Sequence, residues 1–287
     1  MVIQAGFIGL GAMGVHMAAH LRQRGLLAAV ANRTHMKAVE LAQQWEVAAP
    51  DTLAELAARC NVIALCVTAD ADVLSTVQAL APYLQPGAIV IDHSTVSPET
   101  AKLAAARLAE AGVHFLDAPV SGGVEGAKNG KLSVMVGGDA EVLERARPVL
   151  EAYALRVTHL GATGAGQATK AVNQVLVAGI AQAVCEGLAL GEALGLDPER
   201  LLPTLGAGAA GNWFLEKRGE TMLRNEFSVG FKLALLHKDL TIVRGIAQQV
   251  GSATGVIERS LADYAELMSQ GYGDEDISAL IRLKRPA

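Results

Sequence analysis

The sequence predicts an α/β protein with a doubly wound, mostly parallel sheet, followed by an all-α C-terminal domain. Three observations lead there. Strand-like apolar runs alternate with amphipathic stretches of helical length through the first half. Six of the nine prolines precede residue 150, and long 3.6-periodic segments follow. A glycine-rich turn, Gly9-Leu10-Gly11-Ala12-Met13-Gly14, sits between the first strand-like run and the first helical one. The chain has 287 residues, 51% hydrophobic and 18% charged, which is enough for two domains and excludes a disordered chain.

The strand-like runs are Ile3 to Ile8, Leu27 to Ala31, Val62 to Val67, Ala88 to Asp92, His114 to Asp117, Leu132 to Val136 and Leu155 to His159. Helical patterns between them include Ala12 to Arg24, Thr34 to Gln44, Pro98 to Ala111 and Asp139 to Ala152. Alternation of this kind implies parallel strands joined by right-handed crossovers, with helices on both sheet faces. Mostly continuous apolar strands agree, because a doubly covered sheet buries both faces. Further on, periodic apolar positions run through Gly166 to Leu194, Phe214 to Leu223, Phe231 to Val250 and Gly255 to Gln270. Asp197-Pro198 opens a helix, and Gly195 and Gly251 sit where C-terminal glycines belong. The glycine-rich hinge Gly161 to Gln167 sets the expected boundary, with domains over 1–162 and 163–287.

Composition narrows the class. A net charge of −5 argues against a nucleic-acid partner, which needs a basic stripe; Arg282, Lys284 and Arg285 read as a solvated tail. Cys60, Cys66 and Cys185 form no CxxC pair and fit reduced thiols in a cytoplasmic protein. The window Ala171 to Leu190 carries Asn173, Gln174, Gln182 and Glu186, so no membrane span is expected, and the N-terminus reads as no signal peptide. Alanine occupies 51 positions and glycine 30, which suits closely packed helices. Gln167 to Ala193 alone holds seven alanines and three glycines, so this helix, apolar nearly all round, is expected to be buried in the centre of the protein or of an assembly, at the domain junction and near a subunit interface.

The Gly9–Gly14 turn follows a strand and opens a helix, the context in which GxGxxG binds a dinucleotide. The helix N-terminus then offers N–H groups and partial positive charge to a pyrophosphate. The second strand ends in Asn32-Arg33-Thr34, without the acid that an NAD site places on the ribose. Arg33 can pair with a 2′-phosphate while Asn32 and Thr34 donate, so NADP is favoured over NAD; Arg33 as a plain surface residue and Thr34 as a helix cap is the alternative.

Four motifs in order carry a resemblance. They are GFIGLGAMG at the start, Asp117-Ala-Pro-Val-Ser-Gly-Gly123 with the run Gly126 to Gly138, Gly166-Gln-Ala-Thr-Lys170-Ala-Val-Asn173, and Lys238-Asp239-Leu240. Over nearly its whole length the chain resembles the β-hydroxyacid dehydrogenases related to 3-hydroxyisobutyrate dehydrogenase. The resemblance implies a Rossmann domain, then a helical domain, an active site between them, and reversible oxidation of a short 3-hydroxy acid to its semialdehyde or keto form. It also implies a homodimer or homotetramer and a small carboxylate-bearing substrate.

Hydride transfer to or from an alcohol carbon needs a group that handles the hydroxyl proton. Lys170 lies in an otherwise uncharged helical stretch, where burial should lower its pKa, and the resemblance makes it the acid/base. A snorkelling lysine is the alternative. Asn173, three residues on, shares its helix face and can orient Lys170 and the substrate hydroxyl. Ser121-Gly122-Gly123 can form an anion nest for a substrate carboxylate, or be a plain turn with Ser121 as cap. Lys238, seven residues after Phe231 and on the same helical face, is carried over to cofactor and substrate, and Phe231 to the cofactor. Thr95, just past the strand ending at Asp92, is carried over as a cofactor contact. Cys66-Val67-Thr68 stands where many relatives have Leu-Pro, and the backbone of Cys66 and Val67 is placed at the nicotinamide pocket.

The remaining candidates are weaker. His16 and His20 have metal-ligand spacing without a third ligand, so no metal is expected. His93 reads as structural, and Asn212-Trp213-Phe214 as pocket wall or ordinary core. An imine reductase, which shares the GLGxMG turn, and a non-catalytic NADP-binding scaffold are the competing functions.

Overall fold

The computed structural model describes residues 2–286 and divides the chain into two compact units, one ending at Lys170 and the other beginning at Ala171. The first unit holds an eight-stranded sheet: β1 Ala5–Ile8, β2 Leu27–Ala31, β3 Val62–Leu65, β4 Ile89–Asp92, β5 His114–Asp117, β6 Val120–Ser121, β7 Leu132–Gly137 and β8 Ala154–Gly161. The order is β2-β1-β3-β4-β5-β7-β6, with β8 also paired to β7. β2, β1, β3, β4 and β5 run parallel to their neighbours, whereas β7 is antiparallel to β5 and β6 and parallel to β8. The fold is thus the expected doubly wound, mostly parallel sheet followed by helices.

The strands are apolar on both sides because both faces are covered. Phe7, Ala64 and Ile91 join one core with Met17, Leu21 and Tyr153 from one face. Ile8, Ile63, Leu65 and Val90 join the other with Leu56, Val77 and Leu108. Adjacent strand residues therefore enter opposite cores, as the two-residue period requires. Register then aligns the carboxyl ends: Ile8 stands beside Leu65, Leu65 beside Asp92, and Asp92 beside Asp117. Every loop leaving these strands starts from one line. That line is the edge where open α/β sheets bind ligands, with the switch point between β1 and β3.

The helices Ser97 and Asp139 open are capped as their sequences suggest: the Ser97 hydroxyl accepts from Thr100 N–H (3.1 Å) and the Asp139 carboxylate from Glu141 N–H (2.8 Å). The structure adds helices Leu53–Arg59, Asp70–Leu80 and Gly123–Lys128, and the two-residue β6, to the elements named from the sequence. In the second unit, Ala165–Ala193 continues from the first, and Pro198–Gly206, Trp213–Leu223, Leu233–Val250 and Gly255–Ser269 follow. Their core centres on Leu236, Leu240, Tyr264, Leu267 and Leu280.

Two expectations are corrected here. The helix Ala165–Ala193 is not buried all round: Val172 and Leu176 are each 61% exposed, and Leu190 60%. Small residues let one side pack closely, while these side chains on the other stay mostly exposed among the described residues. Among the described residues it is also the one helix long and apolar enough to cross a membrane, by length and composition. Its polar side chains are nonetheless spent on protein partners, Gln174 on Asp239 and Gln182 on Asp263, as in a helix packed in a globular core. Second, Phe231 does not share a helix face with Lys238, because the helix starts at Leu233. Phe231 lies before it, its N–H donating to the buried Asp276 carboxylate at 2.9 Å.

Candidate active site

The sheet's carboxyl edge gathers most of the candidate residues of the first unit. The glycine turn leaves β1. Gly9 has φ +98°, and a Cβ there would collide with the Cys66 carbonyl, so β1 and β3 approach too closely for any side chain. Around Gly11 the space is open. That cradle fits a pyrophosphate lying against the N-terminus of the helix Gly14–Gln23. The turn is tied to the end of β2: Asn32 Oδ1 accepts from Leu10 N–H at 3.0 Å, and Asn32 Nδ2 donates to the Thr34 carbonyl at 3.2 Å. Asn32 thus braces the turn, and its Nδ2 keeps a second hydrogen to donate. Arg33 and Thr34 stand exposed beside it. Thr34 is the N-cap residue of the helix His35–Trp45, although its side chain makes no capping bond.

After β3 come Cys66 and Val67. Burial, and then the Asp92 charge, push the Cys66 thiol up to about 12, so it stays protonated. Val67 N–H donates to Ser94 Oγ at 3.0 Å, which links this loop to the one after β4. Ser94 N–H in turn donates to Asp92 Oδ1 at 2.9 Å. Half-buried Thr95 follows. His93 is buried and structural. Its Nδ1–H donates to the Ala118 carbonyl (2.7 Å) and its Nε2 accepts from the Tyr153 hydroxyl (2.7 Å). A carbonyl can only accept, so this pattern fixes one neutral tautomer, and burial pushes the ring down to about 4.

β5 delivers the third loop. Asp117 is wholly buried and accepts at both oxygens, from Gly164 N–H (2.8 Å) and Gln167 N–H (2.9 Å). Burial still leaves its carboxyl above the usual range, against those N–H groups. Three residues on, the Val120 carbonyl accepts from Lys170 Nζ at 2.9 Å. Lys170 is only 7% exposed. Its ammonium is thereby set on the peptide that leads into Ser121-Gly122-Gly123, where Gly122 (φ +131°) and Gly123 (φ +62°) take backbone conformations that favour glycine. His20 supports the far end of this segment, with Nε2 3.0 Å from the Ala127 carbonyl oxygen.

In the helical unit, Asn173 and Lys238 are joined through two buried residues that the sequence reading did not single out. Asn173 Nδ2 donates to Gln174 Oε1 (2.8 Å), Gln174 Nε2 donates to Asp239 Oδ2 (2.6 Å), and Lys238 Nζ pairs with Asp239 Oδ1 (2.8 Å). Gln174 thereby links Asn173 to a buried carboxylate, which Lys238 approaches as an ion pair. The signal was available in Lys238-Asp239 and in a glutamine inside an apolar helix. Asn212 is a cap instead of a pocket wall: its Oδ1 accepts from Leu215 N–H at 2.9 Å.

Residues 4–161 match the family profile described as the NAD binding domain of 6-phosphogluconate dehydrogenase, and residues 164–284 that described as NAD-binding of NADP-dependent 3-hydroxyisobutyrate dehydrogenase. The chain is 34% identical over 293 residues to an NAD-dependent L-serine dehydrogenase of Pseudomonas aeruginosa, covering 99% of this chain and 98% of that one. It is 35% identical over 254 residues to a 2-hydroxy-3-oxopropionate reductase of Escherichia coli, covering 84% and 82%. A solved structure of Mycobacterium tuberculosis 3-hydroxyisobutyrate dehydrogenase with L-serine matches with a TM-score of 0.89 and 31% identity, covering 100% of both chains. These matches together support an NAD(P)-dependent hydroxyacid dehydrogenase. The chain belongs to the β-hydroxyacid dehydrogenase family related to 3-hydroxyisobutyrate dehydrogenase.

The buried carboxylates give a pH prediction. Burial pushes Asp92 up to about 7, opposed by the Ser94 hydrogen bond and aided by the charges of Asp117 and Asp70. A carboxyl in the unfolded chain titrates near about 3.9, so between there and about pH 7 the folded chain holds the extra proton, and stability falls as pH rises through that window. Asp92→Asn stays neutral throughout. In thermal denaturation, the Tm difference between Asp92→Asn and wild type should move in favour of Asn from about pH 4.5 to about pH 8; a difference independent of pH contradicts this account.

Proposed function

We propose that the chain is an NADP(H)-dependent oxidoreductase that interconverts a small 3-hydroxy acid and its semialdehyde or keto form, with Lys170 as general acid/base. The observation that carries the reading is the hydrogen bond from Lys170 Nζ to the Val120 carbonyl (2.9 Å), which sets a buried proton donor beside the Ser121–Gly123 turn. Imine reductases usually lack a lysine at that position and non-catalytic relatives lose it, whereas this chain keeps both Lys170 and Asn173.

When bound, the nicotinamide cofactor gives or takes the hydride at the substrate carbon. The chain does the rest. In reduction, Lys170 donates a proton to the carbonyl oxygen as it gains charge; in oxidation it takes the hydroxyl proton. Ser121, Gly122 and Gly123 receive the substrate carboxylate through backbone N–H groups and a hydroxyl. Asn173 holds the substrate hydroxyl, and Lys238 contacts substrate and cofactor. Gly9 to Gly14 hold the pyrophosphate, Cys66 and Val67 line the nicotinamide through their backbone, and Thr95 and Phe231 contact the cofactor. Arg33 and Thr34 take the 2′-phosphate, with Asn32 bracing the turn.

Substrate class follows from chemistry shared by the relatives. L-Serine, 2-hydroxy-3-oxopropionate and 3-hydroxyisobutyrate each place an alcohol or aldehyde carbon on the carbon that bears the carboxylate. A turn for the carboxylate and a proton donor a short distance away suit that spacing. NADPH oxidation should therefore be seen with tartronate or methylmalonate semialdehyde, which have this spacing, in a panel of four completed by succinic semialdehyde, one methylene longer, and glyoxylate, one carbon shorter; Arg33→Ala should lower kcat/KM for NADPH about tenfold more than for NADH, the worth of a charge-assisted phosphate contact. Inactivity on all four substrates contradicts the reaction, and equal losses with both cofactors contradict the preference.

The same reading includes a homodimer or homotetramer in the cytoplasm, with no nucleic-acid or membrane partner. The assembly is supported by the exposed apolar side of Ala165–Ala193, beside a groove of about 610 Å³ that Ala183, Leu190 and Val256 line together with the polar Gln182, Glu186 and Arg259. Sedimentation at micromolar concentration should give two or four chains; a monomer contradicts the assembly.

A further inference from the structure

We infer that Gln167 is a positioning residue that sets the separation between Thr95 and Lys170, and hence between the cofactor and the acid/base. This rests on the roles proposed above for those two residues. Gln167 is 1% exposed. Its side-chain amide spans Thr95: Nε2 donates to the Ser94 carbonyl at 2.8 Å, and Oε1 accepts from Val96 N–H at 3.2 Å. One primary amide thus pairs with the backbone on both sides of a single residue, as a neighbouring strand would, and leaves the Thr95 side chain between the two anchor points.

The backbone of Gln167 is fixed independently. Its N–H donates to Asp117 Oδ2 at 2.9 Å, while Asp117 Oδ1 holds Gly164 N–H at 2.8 Å. The packing behind it has no slack, since a Cβ on Gly166 would run into the Asp117 and Met135 carbonyls. Lys170 lies one helical turn further on and rests on the Val120 carbonyl, itself three residues past Asp117. The hydrogen bonds therefore close a circuit. The β4 loop is held by the Gln167 side chain, the first turn of the helix by Asp117, and Lys170 by the chain that leaves β5.

The orientation of the amide matters. The Ser94 carbonyl requires a donor and Val96 N–H an acceptor, and both contacts are buried. Glutamine supplies both at the right length. Methionine has similar volume and neither function, and asparagine has both but is one methylene short. Loosening the loop against the helix displaces Thr95 relative to Lys170, and misplacement by about 1 Å is enough to cost about a hundredfold in rate.

The experiment compares wild type, Gln167→Met, Gln167→Asn and Lys170→Ala as full-length protein. Hydrogen–deuterium exchange is followed at residues 93–97 and 165–172, and kcat, aldehyde KM, the pH profile of kcat and the Kd for NADPH are measured well below each Tm. Both Gln167 variants should lose protection in the two segments together. Their kcat should fall about ten- to a hundredfold with aldehyde KM changed less than about threefold, and the limb of the pH profile assigned to the acid/base should shift. A merely structural glutamine lowers Tm and leaves kcat and its pH profile unmoved. If Gln167→Met does not fold, Gln167→Asn carries the same test. Wild-type turnover in a folded Gln167 variant beside an inactive Lys170→Ala, or loss of protection in one segment only, overturns this inference alone. Wild-type turnover in Lys170→Ala overturns the acid/base reading and this inference with it.

Discussion

Four strand ends in register govern this molecule. Ile8, Leu65, Asp92 and Asp117 lie side by side at the carboxyl edge of the parallel sheet. The glycine turn, Cys66-Val67, Ser94-Thr95 and the Asp117–Gly123 segment all depart from that line. Parallel strands buried on both faces have no freedom to slip, because a one-residue shift would exchange the two cores. The precision of the site is therefore borrowed from the packing of Phe7, Ile63, Ile91 and their neighbours.

Polar groups at that edge are costly, and the way they are satisfied explains the local architecture. Asp92 and Asp117 are adjacent and fully buried, and burial raises both carboxyls. Asp117 offsets its burial by holding two backbone N–H groups at the start of the long helix. Asp92 has one such donor, at Ser94, and one buried oxygen without a hydrogen-bond partner. A carboxyl kept there at a cost to stability is the kind of compromise found beside functional sites. Lys170 Nζ donates to the Val120 carbonyl, which ties the buried side chain to the segment leaving β5.

Much of this was legible in the sequence. The glycine turn, the strand runs and the helical second half are local patterns, and the structure places them within a few residues of expectation. The Lys170 segment was legible only through resemblance to a family, since a lone lysine in an apolar helix has a bland explanation. The rest is long-range. Gln167 and Val96 are 71 residues apart in the chain, and Gln174 and Asp239 are 65 apart, so no periodicity could pair them. Asn32 also braces the glycine turn, which the sequence does not show, because its partner Leu10 lies 22 residues away in another loop. The helix Asp70–Leu80 has a local pattern too, with Asp70 and Asp72 in its first turn and Val73, Val77 and Leu80 buried at helical spacing. The exposed side of Ala165–Ala193 was misjudged because composition reports small residues without saying which side they cover.

The central claim is that Lys170 moves the proton. Truncating it leaves a space beside the Val120 carbonyl the size of an alkylammonium. The most direct measurement is chemical rescue of Lys170→Ala by small primary amines of graded basicity, with NADPH binding verified in the same samples. The account predicts turnover that rises with amine concentration and varies with amine pKa, as a proton transfer in the transition state requires. A variant that binds NADPH normally and gains no turnover from any amine would contradict it.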